Sequence, residues 1–322
     1  MSSVATRSDV PAEPEPSVPR TPRQIARARH RLALGRFWGR FRNNKMGLAG
    51  LVILIFFSVM AIFALFADKT GLDKTLVTEE SIAPCTFQTL PCAPNSKFPL
   101  GTDADGRSIL TLVVQGSRIS MLVGLVASAI TMVIGALVGI VAGYAGSWTD
   151  RSLMRITDFF LVIPFLALAI VLAAVFGSNI WVLIAIIGFT SWPGTARLVR
   201  AQTLSVKEHL YVERARALGG SNWHVISRHI LPNVMPVILA NLILTVAIAI
   251  LSESALSFLG LGDITRVSWG TMIDQAFDNG ALTIGAWWWL LVPSFCIVLL
   301  VLGFTLVGFA FDEVINPRIR ER

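Results

Sequence analysis

The residues through which this chain can do chemistry are few: four histidines, three cysteines, and two carboxylates set in apolar sequence, Asp158 and Glu253. The histidines form no His-Glu-x-x-His pair, and no Gly-x-Ser-x-Gly elbow occurs. Neither a zinc nor a serine hydrolase centre can therefore be assembled from local motifs. No Lys follows the Gly-x-x-x-x-Gly spacing of a phosphate-binding loop, so the chain lacks that route to ATP. Asp103-Ala-Asp105-Gly106 has two of the oxygens of a calcium loop, but no Glu stands at the twelfth position, which excludes calcium there. Cys85 and Cys92 flank a short polar stretch containing Pro91. They can form a disulfide in an oxidising compartment, and two free thiols are the alternative. With no His or further Cys nearby they are not a zinc site. Cys296 lies in an apolar run and reads as a small packing residue. The expectation is no catalytic residue and no metal site.

The elements around these residues are mostly apolar. Of 322 residues, 54% are hydrophobic and 15% charged, against about a quarter charged in a soluble domain. The excess apolar surface must face lipid. Six runs are long enough to cross a bilayer, near 47–66, 119–142, 153–176, 180–199, 235–259 and 287–311. At about 1.5 Å per residue, about twenty residues span a hydrocarbon layer of about 30 Å, and backbone amides in lipid must pair internally, so these runs are helices. The predicted class is an all-α membrane protein with six transmembrane helices. The net charge of +7 and the isoelectric point near 9.9 do not indicate nucleic acid, because the cations sit between apolar runs rather than on one domain.

Those cations orient the helices. With the N-terminus inside, 21 of the 27 Lys and Arg residues fall in cytoplasmic segments. Only Lys69, Lys74, Lys97, Arg107, Arg118 and Arg266 fall outside, which places both termini in the cytoplasm. Residues 1–22 read as a disordered tail. Residues 23–46 read as a basic amphipathic segment lying on the membrane face, or as a merely solvated tail. A loop over 67–105 lies outside, followed by an interfacial helix over 107–118 started by Asp103 or Asp105. The core runs over 106–311, and 312–322 form a cytoplasmic tail. Trp287, Trp288 and Trp289 suit the outer interface as anchors.

The most informative segment is the cytoplasmic stretch 203–232. Residues 206–218 suit a short helix, Gly219 and Gly220 can end it in the left-handed conformation, Ser221 or Asn222 can cap a second helix, and Pro232 opens the next span. A bent polar helix pair of this length is a docking surface.

Here the sequence resembles a known family. Glu213-Arg-Ala215, Gly219 and Leu231-Pro232 resemble the EAA loop of ABC importer permeases, with Arg214 and His229 as departures. The run His229-Ile-Leu-Pro-Asn233 is usual in the dipeptide, oligopeptide and nickel branch. Similar to that branch are Phe98-Pro-Leu-Gly-Thr-Asp103, Gly116-Ser-Arg118, Met154-Arg155-Ile-Thr-Asp158 with Pro164, and Asn316-Pro-Arg318. The most specific piece runs from Glu253-Ser-Ala-Leu-Ser257 to Gly262 and on to Ser268-Trp-Gly270. The extra N-terminal segment and first span resemble the C-type partner of a permease pair. Departures at 263–267, Ser294 and Phe309 bear on substrate identity and leave the loop untouched.

The resemblance implies a type I importer permease fold with cytoplasmic coupling helices. It implies import of di- or oligopeptides, or of nickel complexes or haem, across the bacterial inner membrane. It also implies no cofactor on this chain, since ATP and magnesium belong to separate ATPase subunits. The implied partners are a second homologous permease, two ATPases or a fused one, an extracytoplasmic solute-binding protein and lipid. Tyr211, Val212, Ala215, Leu218 and Gly219 would pack into a groove on the ATPase, and Glu213 would make a polar contact or pair with a neighbouring Arg. Asp158 reads as a structural partner of Arg155. Glu253, with Ser254 and Ser257, lines the translocation path or braces a subunit interface. A secondary transporter would not need the 213–232 loop, and no inverted repeat relates the halves. A purely structural scaffold is left open by the motifs, and the family resemblance speaks against it.

Overall fold

The computed structural model describes Gly35, Gly39 and residues 41–67, 91–263 and 265–315. Residues 44–322 form one compact unit and residues 1–43 another. The expected tail at 1–22, most of the basic segment, Cys85 and 316–322 lie outside the described residues.

The apolar runs fold as helices, and among the described residues the only β pairing is one bridge between Thr102 and Ser108. In chain order the helices are α1 (Lys45–Ala67), α2 (Ile109–Ala145), α3 (Ser147–Val162), α4 (Phe165–Phe176), α5 (Ile180–Thr190), α6 (Trp192–Lys207) and α7 (Leu210–Ala217). Then come α8 (Asn222–Val225), a π-turn over Ile226–Ile230, α9 (Leu231–Leu256), a second π-turn over Ser257–Leu261, α10 (Trp269–Asp278) and α11 (Trp287–Ile315). Five continuous stretches are long and apolar enough to cross a membrane. The pair α3 and α4 makes a sixth, bent by 86°. The break follows from Pro164, which lacks an amide proton and disfavours helical backbone at the residue before it. Ile163 is accordingly extended.

Asn44, just before α1, donates to Glu313 near the end of α11 at 2.7 Å. The first and last spans thus begin and end on the same side of the bundle, as an even number of crossings requires.

Several expectations need correcting. No separate interfacial helix occupies 107–118; α2 runs unbroken for 37 residues from Ile109. Ile109, Leu112, Val113 and Gly116 are buried on one face, which continues the packed face of the span with no breaker between. Asp103 does not cap that helix; its carboxylate accepts the backbone and Nε protons of Arg107, both at 2.7 Å. Trp288 and Trp289 are not interfacial anchors, because both are buried and only Trp287 is exposed. The last span also runs past 311 to Ile315.

Three buried clusters hold the bundle. Phe57, Ile109, Trp269, Trp289 and Leu300 join α1, α2, α10 and α11. Val123, Ala127, Ala173, Ile184 and Leu256 join α2, α4, α5 and α9. Ile140, Tyr144, Val199, Val212, Val225 and Val234 join α2, α6 and α9 to the segment between α6 and α9. Helices α2 and α6 approach most closely where small residues recur every fourth position. A Cβ on Gly135, Gly139 or Gly143 would come within 2.6–2.8 Å of Thr195, Ala196 or Thr203. Small-residue seams of this kind let backbones meet in lipid, where burial from water contributes nothing between helices.

Candidate functional site

The segment between α6 and α9 stands at one end of the bundle, and local chemistry fixes its shape. Helix α6 continues to Lys207, further than expected, and α7 begins only at Leu210. After α7 the chain closes with the amide of Gly220 bonded to Ala215 O at 3.0 Å and that of Gly219 to Arg216 O at 2.9 Å. That pair of bonds is a Schellman closure, which needs a left-handed residue between helix and exit. Gly219 supplies it at φ +82°. The Ser221 hydroxyl then accepts the His224 amide at 3.3 Å, capping α8. Pro232 is the second residue of α9, directly after the π-turn.

The two faces of this element differ. Val212, Val225 and Ile230 are completely buried against α2, α6 and α9. Leu210, Tyr211, Leu218 and Trp223 point outward, with Leu218 89% and Trp223 77% exposed. The rings of His209, Tyr211, His229 and His224 form a chain with centroids 5.4, 6.1 and 5.8 Å apart.

Of the residues expected on the docking surface, Tyr211, Glu213, Leu218 and Gly219 are exposed and Ala215 is half-buried. Val212 is a correction. It is 0% exposed and anchors the element to its own bundle, so it has no surface to offer. Glu213 has no ion pair or side-chain hydrogen bond among the described residues and stays open to a partner rather than pairing with a neighbouring Arg. Leu210 and Trp223 were missed, although two large apolar residues in so short a polar segment were a signal for them.

The two intramembrane carboxylates are both partnered within the chain. Glu253 is 1% exposed, and Ser254 and Ser257 are buried with it. The Ser257 hydroxyl donates to Glu253 Oε1 at 2.8 Å, and those of Ser120 and Ser254 reach Oε2 at 3.3 and 3.5 Å. The carboxylate therefore ties α9 to α2 inside this chain. Asp158 pairs with Arg197 of α6, not with Arg155 one turn away. Asp150 makes a parallel two-pronged pair with Arg200, with Nη2 to Oδ2 at 2.6 Å. Cys92 is disulfide-bonded, and Cys296 is a free thiol.

This bundle, with its bent third span and protruding helix pair, matches known proteins closely. Residues 135–321 match the family described as the inner membrane component of binding-protein-dependent transport systems. Residues 33–75 match the N-terminal transmembrane domain of oligopeptide transport permease C. The chain belongs to this family. It is 36% identical over 284 residues to the dipeptide transport system permease protein DppC of Bacillus subtilis, covering 88% of this chain and 85% of that one. It is 33% identical to the oligopeptide transport system permease protein OppC of the same organism, over 88% of each. It is 30% identical to the glutathione transport system permease protein GsiD of Pectobacterium atrosepticum, over 88% of this chain and 91% of that one. Among solved structures, a chain of the inward-facing MetNI methionine ABC transporter superposes with a TM-score of 0.52 at 20% identity, covering 64% of this chain and 95% of that one. That likeness bears on fold alone, and it agrees with the type I permease architecture. The chain is thus a multi-pass permease subunit of an ABC importer. It is not itself an enzyme, because the ATPase of such importers is a separate subunit.

Proposed function

We propose that this chain forms half of a translocation path for di- or oligopeptides across the bacterial inner membrane, with both termini in the cytoplasm. It works with a second homologous permease, two ATPase subunits or a fused one, and an extracytoplasmic solute-binding protein. Force enters through the α7–α8 element. The reading is carried by one observation: Leu210, Tyr211, Leu218 and Trp223 are exposed on an element whose other face is locked by Val212, Val225 and Ile230. A surface of large apolar side chains on a fixed base suits a groove on a partner. The peptide cargo follows the names of the relatives.

The test is purification of the assembled complex, followed by ATP-driven uptake into vesicles supplied with the binding protein. A labelled dipeptide should accumulate and unlabelled peptides should compete. Accumulation of nickel complexes or haem instead would replace the peptide reading. Absence of an ATPase from the purified complex would overturn the docking reading. Gly219→Val should keep ATP hydrolysis while uptake fails, because a β-branched residue is strained at φ +82° even though nothing lies within 4 Å of its Cβ. Normal uptake in that variant would count against the role of the turn.

A further inference from the structure

The docking element is held to its own bundle by more than apolar burial. Arg216 near the end of α7 and Asn222 at the start of α8 lie on opposite sides of the turn at Gly219, and both converge on Tyr144. The Tyr144 hydroxyl donates to Asn222 Oδ1 at 2.9 Å. The Arg216 guanidinium stands over the Tyr144 ring at 4.6 Å from its centroid. Lys207, the last residue of α6, places its ammonium 5.8 Å from the same centroid and donates to Tyr144 O at 2.7 Å. Tyr144 is buried, and it is the penultimate residue of α2. One side chain therefore meets the end of α2, the end of α6 and both limbs of the docking element.

What lies behind Tyr144 matters as much. The seam at Gly135, Gly139 and Gly143 leaves no room for side chains between α2 and α6. The paired carboxylates Asp150 and Asp158 bind α3 to Arg200 and Arg197 on the same helix. The close seam joins α2 to α6, and the two ion pairs tie α3 to α6, so a shift of one helix is passed to the others. Burial of Val212 and Val225 holds the element against this body without fixing its orientation, because apolar burial is non-directional. A hydrogen bond and a cation stacked on a ring are directional.

We propose that Tyr144 is a positioning residue that converts movement of the α7–α8 element into movement of α2, through its hydroxyl on Asn222 and its ring under Arg216. This rests on the docking reading above and adds the route by which the docked element drives the bundle. Tyr144 is buried and offers little surface to a solute or to the ATPase. Its loss therefore shows in the efficiency of coupling rather than in either partner's binding.

The test is the number of ATP molecules hydrolysed per solute imported, measured on the full complex in vesicles for Tyr144→Phe, Asn222→Ala and the double variant. Tyr144→Phe keeps the ring and removes only the hydroxyl. Each single variant should raise the ratio about fivefold, the lower end of ordinary coupling strengths, with ATPase still bound and its KM for ATP unchanged. The double variant should be no worse than either single one, because both remove the same bond. An unchanged ratio in Tyr144→Phe, or an additive double variant, would overturn the proposal while leaving the docking reading intact. If Tyr144→Phe fails to accumulate in the membrane, Asn222→Ala removes the same hydrogen bond from the exposed side and decides by the same ratio. Loss of ATPase from the unaltered complex would instead mark failure of the docking reading itself.

Discussion

The two ends of the bundle use similar side chains in opposite ways. At the end formed by 91–108 and 265–289, the indoles of Trp269, Trp288 and Trp289 are sealed in. Trp269 is 0% exposed, and its indole N–H donates to Val113 O at 2.9 Å. Trp288 donates to Thr102 O at 3.2 Å. Gly270 lets α10 press against α9, since a Cβ there would lie 2.7 Å from that of Ser257 and 2.8 Å from Ser254 Cα. A capping box of Ser268 and Thr271 fixes the start of α10. At the other end, Trp223 and Leu218 stand in the open on an element anchored only from beneath. The first end packs its tryptophans within the chain, although Phe277, Leu282 and Ile284 stand exposed there. The other presents what a completed interface would cover. Position relative to the packed body, rather than residue type, separates a buried tryptophan from an exposed one.

The sharpest way to break this comparison is to truncate one tryptophan at each end. Trp269→Ala should cost about 3–5 kcal/mol, the range for a large buried aromatic. Trp223→Ala should stay within about 0.5 kcal/mol, as exposed substitutions do. Thermal unfolding of the detergent-purified complex lacking its ATPase reads both. Equal losses would mean that the two ends are not built differently. A smaller effect is expected at Glu253. Glu253→Leu leaves the hydroxyls of Ser120, Ser254 and Ser257 without their shared acceptor and should cost about 1–3 kcal/mol. Glu253→Gln keeps one oxygen acceptor and should cost less. Transport per assembled complex should be unchanged in Glu253→Gln. A changed solute preference there would make the carboxylate a path residue.

The sequence made some of this legible and hid the rest for physical reasons. Spans are written in composition, so all six were readable, and the loop turn was readable because Gly219, Ser221 and Pro232 each have a narrow conformational use. The length of α2 was not, because Gln115, Ser117 and Arg118 look interfacial until the buried face through Ile109, Leu112, Val113 and Gly116 is seen to continue below them. The inward turn of Val212 was hidden as well. An eight-residue helix is too short for its apolar residues to declare a face, and Leu210 and Val212 are equally apolar on paper. The surroundings of Glu253 depend on Ser120, 133 positions away, a contact that no local pattern encodes. The Gly135, Gly139 and Gly143 repeat was visible and went unread. Its meaning comes from the Thr195 to Thr203 face that it meets.

The smallest predicted effect separates two carboxylates within the sealed end. Burial pushes Asp263 up, but the Thr265 hydroxyl and amide at 2.6 and 3.0 Å, the Ile180 amide at 3.3 Å and Arg266 at 3.9 Å outweigh it, and its pKa lies below the ordinary 3.8. Asp103 goes the other way. Its burial outweighs the Arg107 guanidinium and amide, and its pKa is raised. The signs follow from linkage. Asp263 binds its proton less readily when folded, so its contribution is fully present above the ordinary value and is lost as pH falls through its folded pKa. Asp103 binds its proton more readily when folded, so its contribution weakens as pH rises from the ordinary value through its folded pKa. The two slopes oppose each other. In melting profiles from about pH 6 to about pH 3, Asp263→Asn should flatten the acid-side loss of stability and Asp103→Asn should steepen it. If both substitutions shifted the profile in the same direction, the hydrogen bonds to Asp263 would not be what holds this end together, and the sealed end would owe its stability to apolar packing alone.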